Sequence, residues 1–435
     1  MISGLKKLKG RSLAEFTDRG RQTVSSLAER VGVSKDLRLP DDRTFLGLFE
    51  AEGFVNFEAL LKHFRSREPV FYFSLHDREA TVASFHLNFA DAESKIIEAA
   101  EKISDGKFDL LGYKDLDFGR PIPDWFFEPV AGKRSPRVHW SQIDELDTSL
   151  SGDKKIVWEL NRHQYFNVLG RAYWLSGDAR YCDVFIGHVQ DWIEKNPPKV
   201  GLNWRSSLEI AFRSMSWIWA FYFFRHSSTF TAEILAEMLK VLYLNGRHLE
   251  KHLSTYSSPN THLTGEALGL YALGSLFEGT VPGRRWQMKS REILLDALKT
   301  QFRDDGGYVE QATQYHRYSA DFYLSFLIWE TSAGRPVDRE FREILRKLIV
   351  FLVHITQPDG NTPLIGDDDG GRLHFLDAQE FSDFRSTLAL AALLLDDPAM
   401  KFVAGEATDE LFWLTGPAGL KRYNELESKP PKETV

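Results

Sequence analysis

Two short polar islands, about fifty residues apart, hold side chains able to share one reaction. The first reads SPNTHLTGE and supplies Asn260, His262 and Glu266; the second reads GGYVEQATQYHRY and supplies Glu310, Gln311, Tyr315 and His316. Both interrupt helix-patterned sequence, where polar and aromatic groups at such density serve no packing purpose. An amide, imidazoles and a phenol suit the removal of a weakly acidic proton from a carbon beside a carboxylate, with protonation of a departing oxygen. The amide offsets charge building on the carboxylate, while phenol and imidazole move protons. Each member also has a plainer reading: Asn260 or Thr261 after Pro259 is an ordinary helix start, and any one tyrosine is more often packed at a helix interface. The concentration carries the chemical reading. Tyr308, Gln311, Tyr315 and Tyr318 fall at helical spacing and predict one polar aromatic face, and a helix start at Asn260 predicts an anion-attracting end.

Two further sets are of interest. The first contains Trp158, Glu159, Asn161, Arg162 and His163, then Asn203, Trp204, Arg205, Glu209 and Arg213. Facing an interior groove, these would bind substrate: Trp204 with Arg205 reads as a sugar-stacking and anion-pairing couple, and Glu209 with Arg213 as an ion pair one helical turn apart. The second, TQPDGNTPLIGDDDGGRLHFLD, holds Asp359, Asp367, Asp368, Asp369, Arg372 and His374. It lacks the closing Glu of a calcium loop and reads as a solvated acidic turn, with Arg372 paired to Asp367 or Asp368. No metal ligand and no cofactor is assigned. The chain has no P-loop, GxGxxG, HExxH, CxxC or GxSxG element.

The elements that must position these groups are helical. From about residue 152, roughly nine or ten segments with apolar spacing of three and four follow one another through short Gly, Pro, Asn or Asp links. IVWELNRHQYFNVLGRAYWLSG reads as one of them. The fold class is all-α: an incomplete (α/α) toroid of antiparallel helical hairpins, each burying its faces on its neighbours. Upstream, residues 1–90 form an N-terminal helical segment that opens with a basic amphipathic helix (Leu5 to Leu27) packed on the body, and VFYFSL is extended. Residues 91–415 are the toroid, beginning with a helix from Asp91 to Ile103 and a strand-poor aromatic wrapping segment; 416–435 are a polar tail.

Composition narrows the partners. The 435 residues are 43% hydrophobic and carry a net charge of −8, which opposes nucleic acid as a partner but leaves room for a local groove taking an anionic polysaccharide. Aromatic content is 13%, with Phe read as core and several Trp as cleft lining. The lone Cys182 excludes an internal disulfide. No apolar run is long enough for a membrane span. The basic N-terminus lacks the apolar run of a signal peptide, so the chain as written reads as cytoplasmic, or as periplasmic or secreted if the true start differs. The oligomeric state is not legible.

Seven segments in order, ISDGKFDLLG, IPDWFFEPVAGKRSPRVHW, KIVWELNRHQ, GLNWRSSLEIAFRSMSW, SPNTHLTGEALGLY, DGGYVEQATQYHRY and PLIGDDDGGRL, resemble the heparinase II/III-like polysaccharide lyases, a family that includes alginate-lyase-like members. The resemblance implies an incomplete (α/α) toroid followed by an antiparallel β-sandwich, with the cleft between them, and β-elimination of a uronate polysaccharide. It implies that Asn260 neutralises the uronate carboxylate, that His262 is the adjacent active-site histidine, that Tyr315 is base, acid or both with His316 beside it, and that Glu266 supports the histidine. In the family the β-sandwich carries a further histidine and a structural metal site; the chain as written stops at Val435 without that domain, and reads either as a toroid-only member or as a piece of a longer protein. Two other readings stand beside it: a two-carboxylate glycoside hydrolase using Glu209 and Asp367, and a non-catalytic sugar-binding toroid using Trp204.

Overall fold

The computed structural model describes residues 11–431 except Pro69 and Ala378, with the backbone alone described at 50–52. Two kinds of helix alternate along most of the chain. Helices α8 (Phe166–Ser176), α10 (Ser207–Phe224), α12 (Thr261–Leu276) and α14 (Thr313–Ser332) are buried nearly all round. Helices α9 (Arg180–Lys195), α11 (Ala232–Lys251), α13 (Val281–Gln301) and α15 (Arg339–Ile355) bury one side. In α15 the buried positions Phe341, Leu345, Leu348, Ile349, Leu352 and Val353 form one stripe. A helix apolar all round belongs inside, and one with a single apolar stripe covers it.

Contacts follow that division. The inner helices run α8 on α10, α10 on α12 and α12 on α14, then on to α16 (Arg385–Leu395) and α18 (Asp409–Glu425). The outer helices bridge them: α11 lies on α10 and α12, α13 on α12, and α15 on α14 and α16. The result is a helical toroid. Small residues allow the closest approach: a Cβ on Gly269 of α12 would meet the Ala211 Cβ of α10 at 2.5 Å.

The remaining elements brace this body. Helix α1 (Leu13–Arg30) packs on α11; the expected start of this helix at Leu5 lies outside the described residues. Then come α2 (Asp42–Leu46), α3 (Phe57–Ser66), α4 (Arg78–Asn88) and α5 (Ala90–Ser104). Helix α18 packs on α4, and α4 on α8. The segment read as extended forms a 3-10 turn at Phe73–Leu75. The wrapping segment holds two antiparallel ladders, β1 (Lys107–Leu110) with β2 (Tyr113–Asp117) and β3 (Phe127–Glu128) with β4 (Lys133–Arg134). After the short α6 (Thr148–Ser151) comes α7 (Lys154–Asn161).

Three further departures from the sequence expectation matter. IVWELNRHQYFNVLGRAYWLSG is two helices, α7 and α8, broken where His163 takes φ 55°. Its buried ring accepts a hydrogen bond from Trp217 Nε1 at 2.8 Å, so side-chain demands override helical continuity. After α17 (Pro398–Ala404), α18 runs across Gly416 and Pro417 and buries Leu420 and Tyr423, so the polar tail starts inside a packed helix. Finally, the described residues of 356–384 contain no helix or strand, yet the stretch Gly371–Leu376 is largely buried and tied to the inner helices. Arg171 donates to the carbonyls of Leu376 (2.7 Å) and Phe375 (3.1 Å), and Gln164 to those of Arg372 (2.8 Å) and Leu373 (3.0 Å). A connection this long inside a packed domain is usually a functional one.

Candidate active site

In the two most buried inner helices, the exceptions to burial are informative. Every residue of α12 is buried except His262, and from Thr313 to Glu330 of α14 every residue is buried except Tyr315. Both line one open cleft of about 200 Å³. The first turns of three inner helices meet there, through Leu208 of α10, Thr261 of α12 and Gln314 of α14. The Thr261 N–H is taken by Glu310 and the Thr313 N–H by the Ile365 carbonyl, so what these starts offer an anion is the positive dipole end of each helix.

Asn260 satisfies its plain reading and its chemical one together. It is the N-cap of α12, with Oδ1 accepting from the His262 N–H at 3.2 Å, and it lines the cleft. Its Nδ2 donates to Glu310 Oε1 at 2.7 Å. The His262 side chain is exposed, and no hydrogen bond among the described residues engages its imidazole.

Tyr315 points its hydroxyl at the acidic loop. It donates to Asp369 Oδ2 at 2.6 Å, with Asp367 Oδ2 at 3.1 Å. Asp369 also pairs with Lys155. The loop docks on the start of α14 through Thr313 N–H to the Ile365 carbonyl (2.9 Å) and Ile365 N–H to Thr313 Oγ1 (3.1 Å). Gly366 makes this possible: it takes φ 80°, and a Cβ there would lie 2.8 Å from Ala312 Cα. Burial, then Asp369 and Asp367, pushes the Tyr315 phenol far above its ordinary range. Burial also works to raise Asp369, but Lys155 and the Tyr315 hydroxyl outweigh it and hold that carboxyl low. Tyr315 is therefore a neutral phenol at any working pH. Asp369→Asn removes one of the anions opposing the phenolate, so Tyr315 should ionise at lower pH than in the wild type. Ultraviolet tyrosinate titration of Asp369→Asn, differenced against Asp369→Asn/Tyr315→Phe, reads that shift directly; an unmoved midpoint would refute it.

The cleft floor is a buried charge network. Arg162, at the break after α7, donates through Nε and Nη2 to Glu209 (2.6 and 3.0 Å), and its Nη1 lies 2.8 Å from Glu159 and 3.4 Å from the Tyr318 hydroxyl. Burial outweighs Arg162 at Glu159 and pushes that carboxyl up to about 7. Among the described cleft-lining residues Arg162 is the one side-chain guanidinium, and its nitrogens are all taken.

Other expected site residues lie elsewhere. His316 is buried under α15, with Nε2 on the Leu348 carbonyl at 2.9 Å and its ring 4.9 Å from Phe351; burial lowers it to about 4. It packs, and cannot supply a cation to Tyr315. Tyr308 and Gln311 precede α14; Tyr308 is buried against Thr261, while Gln311 is exposed, with φ 55°, away from the cleft lining. Glu266 does not reach His262. It accepts from Ser254 N (2.6 Å) and Oγ (2.7 Å), anchoring the approach to Asn260, and burial pushes it up to about 8. Trp204 and Arg213 are core: the Arg213 guanidinium stacks 4.6 Å from the Trp192 ring centre and 5.9 Å from that of Trp204. Arg205 pairs with Glu145 at 3.3 Å outside the cleft lining. Glu209 bonds Arg162 rather than Arg213, and with both oxygens engaged and buried it is no partner for Asp367 in a two-carboxylate hydrolysis. Arg372 pairs with Asp377 at 3.2 Å, not with Asp367 or Asp368.

Sequence reasoning missed Lys155 and Gln314; it named Glu310, Tyr318, Asp367 and Asp369 without placing them in a substrate-binding set, and Arg162 was one candidate among ten. For Glu310 the available signal was its place five residues before Tyr315 in the same island. Among the described residues no helix is long and apolar enough to cross a membrane, and no group of three His, Cys, Asp or Glu is placed to hold a metal ion.

Comparison with known proteins agrees with this architecture. The profile of a family described as Heparinase II/III N-terminus matches residues 54–384. A heparin-sulfate lyase of Bacteroides stercoris is 25% identical over 334 residues, 71% of this chain and 45% of that protein. One from Pedobacter heparinus is 27% identical over 267 residues, 59% of this chain and 36% of that protein. The chain thus spans less than half the length of these relatives. Among solved structures, a heparinase III matches with TM-score 0.56 at 20% identity, over 86% of this chain and 55% of that one. An alginate lyase from Bacteroides ovatus matches with TM-score 0.51 at 13% identity, over 82% of this chain and 99% of that one. At these identities the structural likeness is one of fold.

Proposed function

This chain belongs to the heparinase II/III family, and from that premise we propose that it acts as a polysaccharide lyase cleaving uronate-containing chains by β-elimination. One observation carries the reading: in α12, and in α14 from Thr313 to Glu330, the residues that are not buried are His262 and Tyr315, and both line a cleft where three helix starts and the Asn260 amide favour an anion. A uronate carboxylate seated there receives an N–H from Asn260, which stabilises the charge spreading onto it as the C5–H bond breaks. The imidazole of His262, free of other partners, takes that proton. The electron pair forms the C4–C5 double bond, the C4–O bond breaks, and the leaving oxygen takes the proton of Tyr315, which water later restores. Tyr315 fits the acid role because neighbouring carboxylates keep it protonated, whereas a basic phenolate beside Asp367 and Asp369 is disfavoured.

The cleft also bears on substrate. Among the described cleft-lining residues the one guanidinium is already bound to Glu209 and Glu159, which leaves it little to offer a sulfate group. We therefore favour a heparan-type or other uronate polymer with few sulfates. The test is ultraviolet absorbance of the conjugated double bond during incubation with heparan sulfate, its unsulfated backbone polymer, heparin and alginate. Absorbance should rise on the low-sulfate polymers and least on heparin. Cleavage to saturated ends, or no product from any of the four, would sink the lyase reading for this chain.

A further inference from the structure

Glu310 lies in the cleft, yet nothing in the proposed chemistry uses it. Its carboxylate is seated at the start of α12 and takes three hydrogen bonds there. Asn260 Nδ2 donates to Oε1 at 2.7 Å; the Thr261 N–H (3.1 Å) and Thr261 hydroxyl donate to Oε2. Thr261 is also bonded to the Tyr308 hydroxyl at 2.9 Å, so α12 and the segment leading to Tyr315 are tied through this one point. From the other side, Gln301 Nε2 donates to the backbone carbonyls of Pro259 (3.0 Å) and Asn260 (3.2 Å).

We infer that Glu310 is a positioning residue: its carboxylate fixes the Asn260 amide so that the amide's second N–H faces the cleft. An amide has two faces of opposite sense. A flipped Asn260 would set its oxygen against the Glu310 carboxylate and its NH₂ against the His262 N–H, losing both bonds at once. The charge on Glu310 thus selects the orientation that offers a donor to substrate. The Thr261 N–H and hydroxyl seat a carboxylate of the protein's own at this helix start, directly beside the Asn260 amide. The inference rests on the reading of Asn260 as the partner of the substrate carboxylate.

Chemical rescue tests it. In Glu310→Ala, kcat should fall about 100-fold while KM changes little, because the lost interaction strengthens in the transition state. Glu310→Gln, equal in size but placing an NH₂ where donors converge, should fall as far. Acetate should restore part of the kcat of Glu310→Ala and raise its melting temperature by about a few degrees, as a ligand bound only to the folded state does; the wild type and Glu310→Gln should respond to neither. A Glu310→Gln enzyme within a few-fold of wild type, or a Glu310→Ala variant indifferent to acetate in both readouts, overturns the proposal. If the wild type cleaves no uronate, the lyase reading fails, and the melting-temperature response to acetate still decides where the carboxylate sits.

Discussion

Tyr315→Phe should abolish formation of unsaturated product, lowering kcat by about 1,000-fold, with no measurable loss of stability. The two halves of that expectation have separate causes. The hydroxyl opens to the cleft, and it sits on a helix whose other residues from Thr313 to Glu330 are buried. Its removal leaves no buried group unsatisfied, since Asp369 keeps Lys155 and both carboxylates of the loop reach solvent. The ring stays in place. A core substitution would instead lower stability and activity together. Urea unfolding beside turnover on a low-sulfate uronate polymer separates the cases. A Tyr315→Phe enzyme that retains activity within a few-fold, at unchanged stability, would transfer the acid role to another group. Asp369→Asn makes the complementary contrast: it should keep product formation, because the phenol remains and becomes a better acid as an opposing charge is lost.

How much of this was legible in the chain differs by scale. Helices such as α10 and α15 were readable because periodicity reports which sides are buried, and the toroid followed from their short links. His262 and Tyr315 were readable by type. Their neighbours were misread for geometric reasons. Adjacent positions on a helix lie about 100° apart, so with Tyr315 at the cleft His316 turns into the α14–α15 interface. Helical spacing gave Tyr308 and Gln311 a place beside Tyr315, but α14 begins at Thr313, so the spacing did not apply. Trp204 and Arg213 were given a sugar-binding surface by residue type, and here stacking among aromatic rings buries even a guanidinium. Asp367 and Asp369 reach Tyr315 only through a loop without periodic structure, fixed by backbone carbonyls that the sequence does not mark.

Lys199→Met should cost about 3–5 kcal/mol of stability, the range for leaving one member of a buried ion pair alone. Lys199 is fully buried, with Nζ 3.2 Å from Glu29 Oε1 and 2.7 Å from His248 Nδ1. Glu29, carried in by α1, also accepts from Trp140 Nε1 at 2.9 Å and lies near His139 (3.4 Å) and His252 (3.9 Å). Burial works to raise Glu29, but His252, Lys199 and Trp140 outweigh it and hold the carboxyl at about 2. Burial lowers Lys199 to about 8 despite Glu29. The pair is therefore not strongly stabilising as a whole, and the penalty lies in breaking it. Lys199→Met/Glu29→Gln, which removes both charges and keeps an acceptor for Trp140, should return to within about 1–2 kcal/mol of wild type; a double variant as unstable as the single one would refute the charge argument. The pH dependence follows from the same groups. A carboxyl depressed from 4.5 to about 2 contributes stability that is complete above about pH 4.5 and is lost as pH falls toward 2, about 3 kcal/mol in all. His139, His248 and His252 are held neutral chiefly by burial, so the unfolded chain binds their protons first and stability begins to fall below about pH 6.5. The consequence reaches the cleft. Arg19 and Gln22 of α1 donate to the carbonyls of Tyr256 (2.9 Å) and Leu253 (3.0 Å), in the segment that leads into Asn260. Releasing Glu29 loosens that brace, so Lys199→Met should lose activity at temperatures below its own unfolding midpoint, and the double variant should regain it.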